Sequence, residues 1–458
     1  MEEKQSKEIS QENRLGTAPL GRLMLGLAVP TITAQLVNLL YNMVDRMYVG
    51  RIPGAGPMAL AGLGVSFPII VLISAFAALV GMGGAPQAGI CLGKQDVRGA
   101  EKILGSSITF LAMLALVLSV LFYTVKEPLL LMFGASENTI AYANEYLSIY
   151  LLGTIAVQFS MGLNQFITCQ GFTKISMLTV MIGAVLNIIL DPIMIFGLGM
   201  GVRGAALATI ISQAVSALWV LKFLCGKKSI LKVRREFLRI DMAVLKPVLL
   251  LGISPFIMQA TECLVQLTFN SGMQHYGNDY YVSSMTILFS VMQFLSLPMM
   301  GLSQGATPII SYNYGAGNGE RVKKAFKLLL VSAIVFSFCA TSMVLLFPQI
   351  FVAIFTSDPE TMRIASHGLR IYLFGFLFFG AQTACQQTFV ALGQAKISMF
   401  LALLRKIILL IPLALILPLF GLGTDGLFYA EPVADILAVI TTSSLFALNF
   451  KKILAKGA

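Results

Sequence analysis

The sequence has little charge and few cysteines or histidines. Only 12% of its 458 residues are Asp, Glu, Lys or Arg, whereas ordinary soluble domains carry roughly 25%. Hydrophobic residues make up 57% of the chain, and the mean hydropathy is +0.84. A soluble protein of this composition could not cover its own surface with polar groups, so most of that surface must face lipid. The composition therefore predicts an integral membrane protein.

Several kinds of functional site have no support in the sequence. The six cysteines form no CxxC pair, which argues against a disulfide framework or a zinc site. His275 and His367 fall far apart in predicted outer loops, so we expect no transition-metal site. The Gly199-x-Gly-x-x-Gly204 spacing follows no strand and therefore does not indicate a dinucleotide site. No P-loop or nucleophile–base pair appears, and we expect neither a cofactor nor catalysis.

Twelve apolar runs are long enough to cross the hydrocarbon core of a bilayer, which is about 30 Å thick. Six lie in the first half of the chain, at 26–48, 58–87, 103–125, 142–167, 177–197 and 205–225. Six lie in the second half, at 247–272, 283–312, 328–348, 367–392, 397–419 and 426–449. The runs predict an all-α protein with 12 transmembrane helices.

The basic residues predict how the chain crosses the membrane. If both termini are cytoplasmic, the inner segments hold 24 of the 32 Lys and Arg residues and the outer loops hold five. Such a bias is typical of cytoplasmic loops. The net charge of +11 is explained in this way and does not indicate nucleic-acid binding, because the basic residues do not form a stripe beside aromatic side chains.

The two halves of the chain are repeats of one six-helix unit. At an offset of 222 residues, Gly83 and Pro86 align with Gly305 and Pro308, and KISM at 174–177 aligns with KISM at 396–399. The same offset aligns Tyr150 with Tyr372, Gly153 with Gly375, and the glycines at 199, 201 and 204 with those at 421, 423 and 426. We expect an N-terminal lobe at 1–225, a basic cytoplasmic linker at 226–246 and a C-terminal lobe at 247–458. A unit of six helices is even, so both lobes point the same way and enclose a central cavity.

The first predicted helix carries a polar stripe. Its members recur at intervals of four and three residues, which places them on one helical face: Thr31, Gln35, Asn38, Asn42 and Asp45. Such a face cannot look toward lipid. Hydrogen bonds between helices are a sufficient structural reason for the Asn and Gln side chains of this stripe. Asp45 needs a stronger reason, since a charge at mid-bilayer costs roughly 2.5–3.5 kcal/mol on insertion scales.

A second acidic site lies in the fifth predicted helix. Asn187 and Asp191 are one turn apart, Pro192 follows directly, and the sixth helix offers Thr209. If these helices converge with the first, two carboxylates, an amide oxygen and a hydroxyl surround one point. Oxygen ligands suit a hard cation such as Na⁺. Two neighbouring carboxylates also repel each other, so a proton can replace the metal ion.

The second half carries two further groups of ionisable side chains. Gln259, Glu262 and Gln266 form a polar stripe after Pro255, and we expect Glu262 to be a lone carboxylate that attracts organic cations; a protonated Glu262 with an internal hydrogen bond is the alternative. In the last two helices, Arg405 needs a counter-charge, which Glu431 or Asp435 can supply. We interpret these three residues as a structural ion pair.

Two segments resemble a known family. The first is PTITAQLVNLLYNMVDRMYVGR, which contains Pro30 and Asp45, and it is similar to the first helix of multidrug and toxic compound extrusion (MATE) transporters. The second, VLNIILDPIMIFGLGMGVRGAALAT, resembles the DinF-like and MepA-like bacterial members. The similarity extends over about residues 20–450 and includes the repeat.

The resemblance implies roles for individual residues. Asp45, Asn187, Asp191 and Thr209 match the family's cation-binding cluster, and Pro30 matches the proline at which the first helix bends. Glu262 matches a carboxylate of the NorM-like branch, although a further acidic residue of that branch has no match here.

The family exports organic cations in exchange for H⁺ or Na⁺. We therefore expect a secondary antiporter in the bacterial cytoplasmic membrane that works as a monomer, contacts the lipid bilayer and binds small organic cations. A lipid or lipid-linked sugar flippase of the same architecture is the main alternative, and a membrane-embedded enzyme is a more distant one.

Overall fold

The computed structural model describes residues 14–457, and these form an all-helical molecule in which no strand occurs. Residues 1–13 of the expected N-terminal lobe and residue 458 lie outside the described part. Ten helices are long and apolar enough to cross a membrane, and two bent pairs raise the number of spans to 12. The prediction of 12 helices in two six-helix bundles is confirmed.

The N-terminal lobe contains the first six spans. They are α1 (Leu20–Val49), α2 (Gly56–Gly93), α3 (Val97–Met132), α4 (Ile140–Leu152 and Thr154–Cys169), α5 (Thr173–Gly197) and α6 (Gly201–Leu224). The C-terminal lobe contains α7 (Met242–Tyr276), α8 (Asp279–Gly315), α9 (Gly319–Leu346), α10 (Pro359–Tyr372 and Phe376–Ala391), α11 (Ala395–Phe420) and α12 (Gly423–Ala455).

The repeat explains where α4 and α10 bend. Their two segments meet at 63° and 48°. A Cβ at Gly153 would lie 2.5 Å from Ile210, and a Cβ at the equivalent Gly375 would lie 2.7 Å from Pro432. Glycine thus allows α4 to approach α6 and α10 to approach α12 at equivalent points of the two lobes.

The buried apolar residues show where the lobes meet. One large cluster contains residues of both lobes, including Leu27, Val80, Val248 and Ile309. The two other clusters each belong to one lobe, around Tyr146 in the N-terminal lobe and around Phe269 in the C-terminal lobe. The lobes therefore pack together at the end where α2 and α8 finish, whereas toward the opposite end each lobe has an apolar cluster of its own. The space between the lobes at that opposite end is called the cleft below.

Glycines bring the helices of the two lobes into backbone contact at this closed end. A Cβ at Gly252 of α7 would lie 1.7 Å from the Leu79 oxygen of α2, and a Cβ at Gly83 would lie 2.2 Å from the Val248 oxygen. Cβ atoms at Gly93 and Gly315 would each lie 2.0 Å from a backbone oxygen of α8 and α2, respectively. Only glycine permits such close packing.

The short segment before α1 also lies at the closed end. Asn313 and Arg321 donate hydrogen bonds of 2.9 and 3.2 Å to the Leu15 carbonyl oxygen, and Arg321 donates a further one of 2.5 Å to Ala18. The Leu15 side chain is buried beside Gly171, in the turn between α4 and α5. Residues 14–18 therefore connect the C-terminal lobe to the N-terminal lobe.

The basic segment between α6 and α7 is docked on the N-terminal lobe. The buried Gln170 side-chain oxygen accepts hydrogen bonds from the Ser229 hydroxyl and from the backbone N–H groups of Ile230 and Leu231, at 2.7–3.1 Å. Buried Glu101 accepts from Arg234 and from the Lys232 backbone. The segment is thus a part of the fold with its own polar anchors.

Candidate functional site

Two acidic side chains meet inside the N-terminal lobe. α1 packs along α5, and this brings Asp45 near the end of α1 to Asp191 near the end of α5. Asp45 is 7% exposed and Asp191 is completely buried. Their carboxyl groups are close enough to interact directly. Two neighbouring carboxylates repel each other, and a proton or another cation between them would stabilise the contact.

Asn187 and Thr209 complete this site. The Asn187 amide donates to the Asp191 carboxylate at 3.3 Å and lies 3.4 Å from the Thr209 hydroxyl oxygen. The Thr209 hydroxyl donates to the Ala205 carbonyl oxygen one turn earlier in α6, at 3.0 Å. The structure therefore brings together the four residues Asp45, Asn187, Asp191 and Thr209, which we call the N-terminal acid site.

Several oxygens of the N-terminal acid site have no donor among residues 14–457. They are Asp45 Oδ1, Asp191 Oδ2 and Asn187 Oδ1, and each is buried. Within the same described part, neither acid forms an ion pair with a basic side chain. Unpaired oxygens are costly in an apolar interior. A small cation or a shared proton would satisfy them.

The local backbone presents Asp191 to this site. Pro192 ends the regular part of α5, and the segment Ile193–Gly197 continues as a π-helix. Pro192 has no N–H, so a carbonyl of the preceding turn loses its usual partner. Wide turns of this kind are frequent at functional sites.

The other polar residues of α1 form hydrogen bonds outside the N-terminal acid site. Gln35 donates to Gln304 of α8 at 3.2 Å, and the Asn42 amide donates to the Asn38 backbone oxygen at 2.6 Å. All three α1 side chains are partly exposed. Pro30 is buried within a continuous α1, and the adjacent Thr31 hydroxyl lies 2.6 Å from the Gly301 oxygen of α8.

The stripe on α7 contains an ion pair that the sequence analysis missed. Gln259, Glu262 and Gln266 are partly exposed, but Glu262 is not a lone carboxylate. The Lys406 ammonium group donates to Glu262 at 2.9 Å. We correct the expectation accordingly: a cation that approaches Glu262 meets a carboxylate that already has a partner.

Arg405 lies between two carboxylates in the C-terminal lobe. Its Nη2 donates to Glu431 at 3.0 Å and its Nε donates to Asp435 at 2.8 Å, and all three side chains are at most 5% exposed. The guanidinium also lies 4.5 Å from the centre of the Phe379 ring. Glu262, Arg405, Lys406, Glu431 and Asp435 together are called the C-terminal charge cluster below.

A π-helical segment explains how two consecutive residues both reach this cluster. Successive side chains of an α-helix point about 100° apart, so one of a neighbouring pair ordinarily faces outward. Arg405 and Lys406 belong to the π-helical segment Leu404–Leu410, and both are buried.

The comparison with protein families follows the same repeat. The family model MatE matches this chain twice, over residues 30–193 and 255–416. The two matches begin at Pro30 and Pro255 and cover both lobes. This chain belongs to the MATE family.

Curated MATE relatives are similar over almost their whole length. The multidrug export protein MepA of Staphylococcus haemolyticus is 29% identical over 427 residues, which are 93% of each chain. MepA of Staphylococcus aureus strain NCTC 8325 is 26% identical over 92% of each chain.

Solved structures share the MATE fold. A crystal structure of MATE in the bent conformation superposes with a TM-score of 0.90 at 22% identity, covering 97% of this chain and 99% of the other. A transporter of the MOP superfamily from Pyrococcus furiosus gives a TM-score of 0.89 at 23% identity, with 96% and 98% covered.

In this MATE chain, three tyrosines surround the N-terminal acid site, and the sequence analysis assigned them no role. Tyr41 and Tyr146 lie close to Asp45, and Tyr146 also lies close to Thr209. Tyr150 stacks on Tyr146 with ring centres 6.1 Å apart. The repeat could have indicated a role for Tyr150, because it aligns with Tyr372. Tyr372 donates to Glu431 in the C-terminal charge cluster.

Transition-metal ligands are not gathered anywhere in the described part of this MATE chain. No group of three or more His, Cys, Asp and Glu side chains within residues 14–457 is arranged to hold a metal ion. The two histidines lie in helices and not in loops: His275 is in the last turn of α7, and His367 is in the first segment of α10.

Proposed function

We propose that this protein is a secondary multidrug efflux antiporter that exports small organic cations in exchange for H⁺ or Na⁺. The observation that carries the proposal is the meeting of Asp45 and Asp191, two buried acids on different helices with no basic partner among the described residues. The MepA relatives, which are multidrug export proteins by name, support the substrate class.

Exchange requires that the two ligands oppose each other energetically. In this mechanism a proton or Na⁺ enters the N-terminal acid site, changes its charge and shifts α1 about Pro30, which alters the cleft beside Gln35, Asn38 and Asn42. A ligand moves a conformational equilibrium only through its different affinities for the two states. The coupling ion and the organic cation therefore favour opposite conformations.

The proposed orientation places both termini in the cytoplasm of a bacterial cell, with the protein in the cytoplasmic membrane as a monomer. The end where the lobes pack together then faces the cytoplasm, and the cleft opens outward. The membrane potential contributes about 2.3 kcal/mol per charge per 100 mV. A one-for-one exchange of monovalent cations is electroneutral and does not use this energy.

Glu262 is proposed as a contact for the substrate, together with Gln259 and Gln266. Its side chain is 43% exposed while that of Lys406 is 7% exposed, so a solute in the cleft reaches the carboxylate before it reaches the ammonium group. We expect Glu262→Gln to weaken the binding of cationic substrates, and unchanged affinity for several of them would count against this role.

The experiment is ethidium efflux from proteoliposomes under an imposed proton gradient and, separately, an imposed sodium gradient. Asp45→Asn and Asp191→Asn should each abolish gradient-driven efflux while leaving membrane insertion intact, because each removes one of the two exchangeable charges. Glu145→Gln is the control, since Glu145 is an acid of the same lobe that forms an exposed ion pair with Arg203. Full efflux by either Asp variant would remove the N-terminal acid site from the mechanism.

A further inference from the structure

The C-terminal charge cluster contains more acids than bases. Glu262 of α7 and Glu431 and Asp435 of α12 contribute three carboxylates, whereas Arg405 and Lys406 of α11 contribute two cations. Two other ionisable groups lie beside them: the Tyr372 hydroxyl of α10, which donates to Glu431, and the thiol of Cys263, which follows Glu262 in α7. When all five charged groups are ionised, one negative charge is left over at a depth where unpaired charge is expensive.

The hydrogen bonds show where this extra charge lies. Glu431 accepts from Arg405 at one oxygen and from the Tyr372 hydroxyl at the other, at 3.0 and 3.4 Å. Glu262 accepts from Lys406 through Oε2, and its side chain is 43% exposed. Asp435 accepts from Arg405 through Oδ1 only, and among residues 14–457 no donor reaches its buried Oδ2. Among the buried carboxylate oxygens of the cluster, Asp435 Oδ2 is therefore the one whose charge is least compensated.

The surroundings of Asp435 Oδ2 suit a proton better than a metal ion. A hard metal cation needs several oxygen ligands, but four of the other five carboxylate oxygens of this cluster already accept from Arg405, Lys406 or Tyr372. The fifth, Glu262 Oε1, belongs to a side chain that is 43% exposed. A proton needs a single oxygen. In this respect the cluster differs from the N-terminal acid site, where three unpaired oxygens lie together.

We propose that the C-terminal lobe holds a second exchange site, in which Asp435 Oδ2 binds and releases one proton. Binding forms one O–H bond and brings the cluster from one net negative charge to neutrality, and release reverses this. The proton reaches the cluster from the cleft on the side of Glu262, its most exposed member. The proton site does not depend on the proposed antiport. Only the coupling of this site to transport rests on that proposed function.

The position of Asp435 connects this site to the cleft and to a bend. A cation in the cleft beside Glu262 adds positive charge next to the cluster, so it should favour proton release from Asp435. Asp435 also packs against the bend of α10, since a Cβ at Gly375 would lie 2.8 Å from the Asp435 Cβ. A change in charge at Asp435 thus acts directly on the point where the two segments of α10 meet.

Part of this cluster lies beyond the residues that the family model matches. The second match ends at residue 416, before Glu431 and Asp435.

Infrared difference spectroscopy of the purified protein at two pH values tests the proposal directly. We expect a carboxylic-acid C=O band that appears reversibly on acidification and that is absent in Asp435→Asn. Asp425→Asn is the control, because Asp425 is an exposed acid at the start of the same helix, paired with His367. If acidification gives the same band in Asp435→Asn as in the wild type, Asp435 is not the proton site and the proposal fails.

Proton counting tests the coupling. When tetraphenylphosphonium is added to weakly buffered protein, Asp435→Asn should release one proton per molecule fewer than the wild type. Asp425→Asn should release as many protons as the wild type. Equal release from Asp435→Asn and the wild type would overturn the coupling.

If Asp435→Asn does not fold, Glu431→Gln takes its place in the infrared measurement. It removes the surplus charge while its amide keeps an oxygen for Arg405, so the band should also be lost, and a persisting band would refute the charge count.

The same measurements separate this inference from the proposed function. In Asp45→Asn/Asp191→Asn the Asp435 band should persist, because the two sites share no residue. Loss of efflux in the N-terminal variants with no titrating band at Asp435 would leave the antiport intact and refute only the second site. If the Asp435 band titrates but the N-terminal variants show full efflux, the second site would stand and the role of the N-terminal acid site in antiport would be refuted.

Discussion

Removing Arg405 should be among the most destabilising single changes in the C-terminal lobe. In Arg405→Ala, Glu431 and Asp435 lose the donors that now lie 3.0 and 2.8 Å away, and both carboxylates stay buried. Hydrogen bonds to charged groups contribute about 1.5–3 kcal/mol each. Breaking a buried ion pair by removing one partner costs about 3–5 kcal/mol. We therefore expect a loss of about 3–5 kcal/mol in the free energy of unfolding.

The measurement is SDS-induced unfolding in mixed micelles, supported by the fraction of protein that stays monodisperse after heating. Arg203→Ala is the matched control, because Arg203 forms an ion pair of similar length, 2.9 Å, with side chains 61% and 39% exposed. Exposed pairs contribute about 0.2–1 kcal/mol, so this variant should remain close to the wild type.

A charge-balanced variant distinguishes unpaired charge from lost packing. Arg405→Met combined with Glu431→Gln and Asp435→Asn removes the cation together with the two carboxylates it compensates, so it should recover much of the lost stability. Equal stability of Arg405→Ala and Arg203→Ala would refute the reasoning. So would a triple variant that is no more stable than Arg405→Ala.

Three further changes test the closed end of the bundle. Gly252→Ala should lower the free energy of unfolding by about 1–3 kcal/mol through overpacking and reduce efflux, since the added methyl group would lie 1.7 Å from a backbone oxygen of α2. Gly64→Ala is the control, because a methyl group there would meet no neighbouring atom within 4 Å. Gln170→Leu should make the linker between α6 and α7 sensitive to trypsin, because three donors lose their acceptor. Arg321→Gln should speed trypsin cleavage after Arg14, because Arg321 holds residues 14–18. Wild-type cleavage rates in either of the last two variants would contradict the anchoring role of the side chain.

Local patterns in the sequence were sufficient to predict the spans and the repeat. A bilayer requires long apolar runs with internally satisfied backbones, and this requirement is visible in any window of the chain. The offset that aligns Gly153 with Gly375 likewise predicts equivalent structure, and both residues lie at helix bends. Asp45, Asp191 and Arg405 could be singled out because ionisable side chains are rare and expensive in such runs.

Contacts between distant parts of the chain were decided only by the tertiary structure. Whether Asp45 reaches Asp191 depends on how α1 packs along α5, and periodicity within α1 contains no information about that packing. Lys406 was not recognised as the partner of Glu262, since 144 residues separate them and a π-helical segment turns Lys406 inward beside Arg405. The unpaired oxygen of Asp435 depends on every neighbour of the C-terminal charge cluster at once. Sequence thus determined which side chains need compensation at membrane depth, and the packing of the helices determined which partner each side chain received, because compensation acts through space and not along the chain.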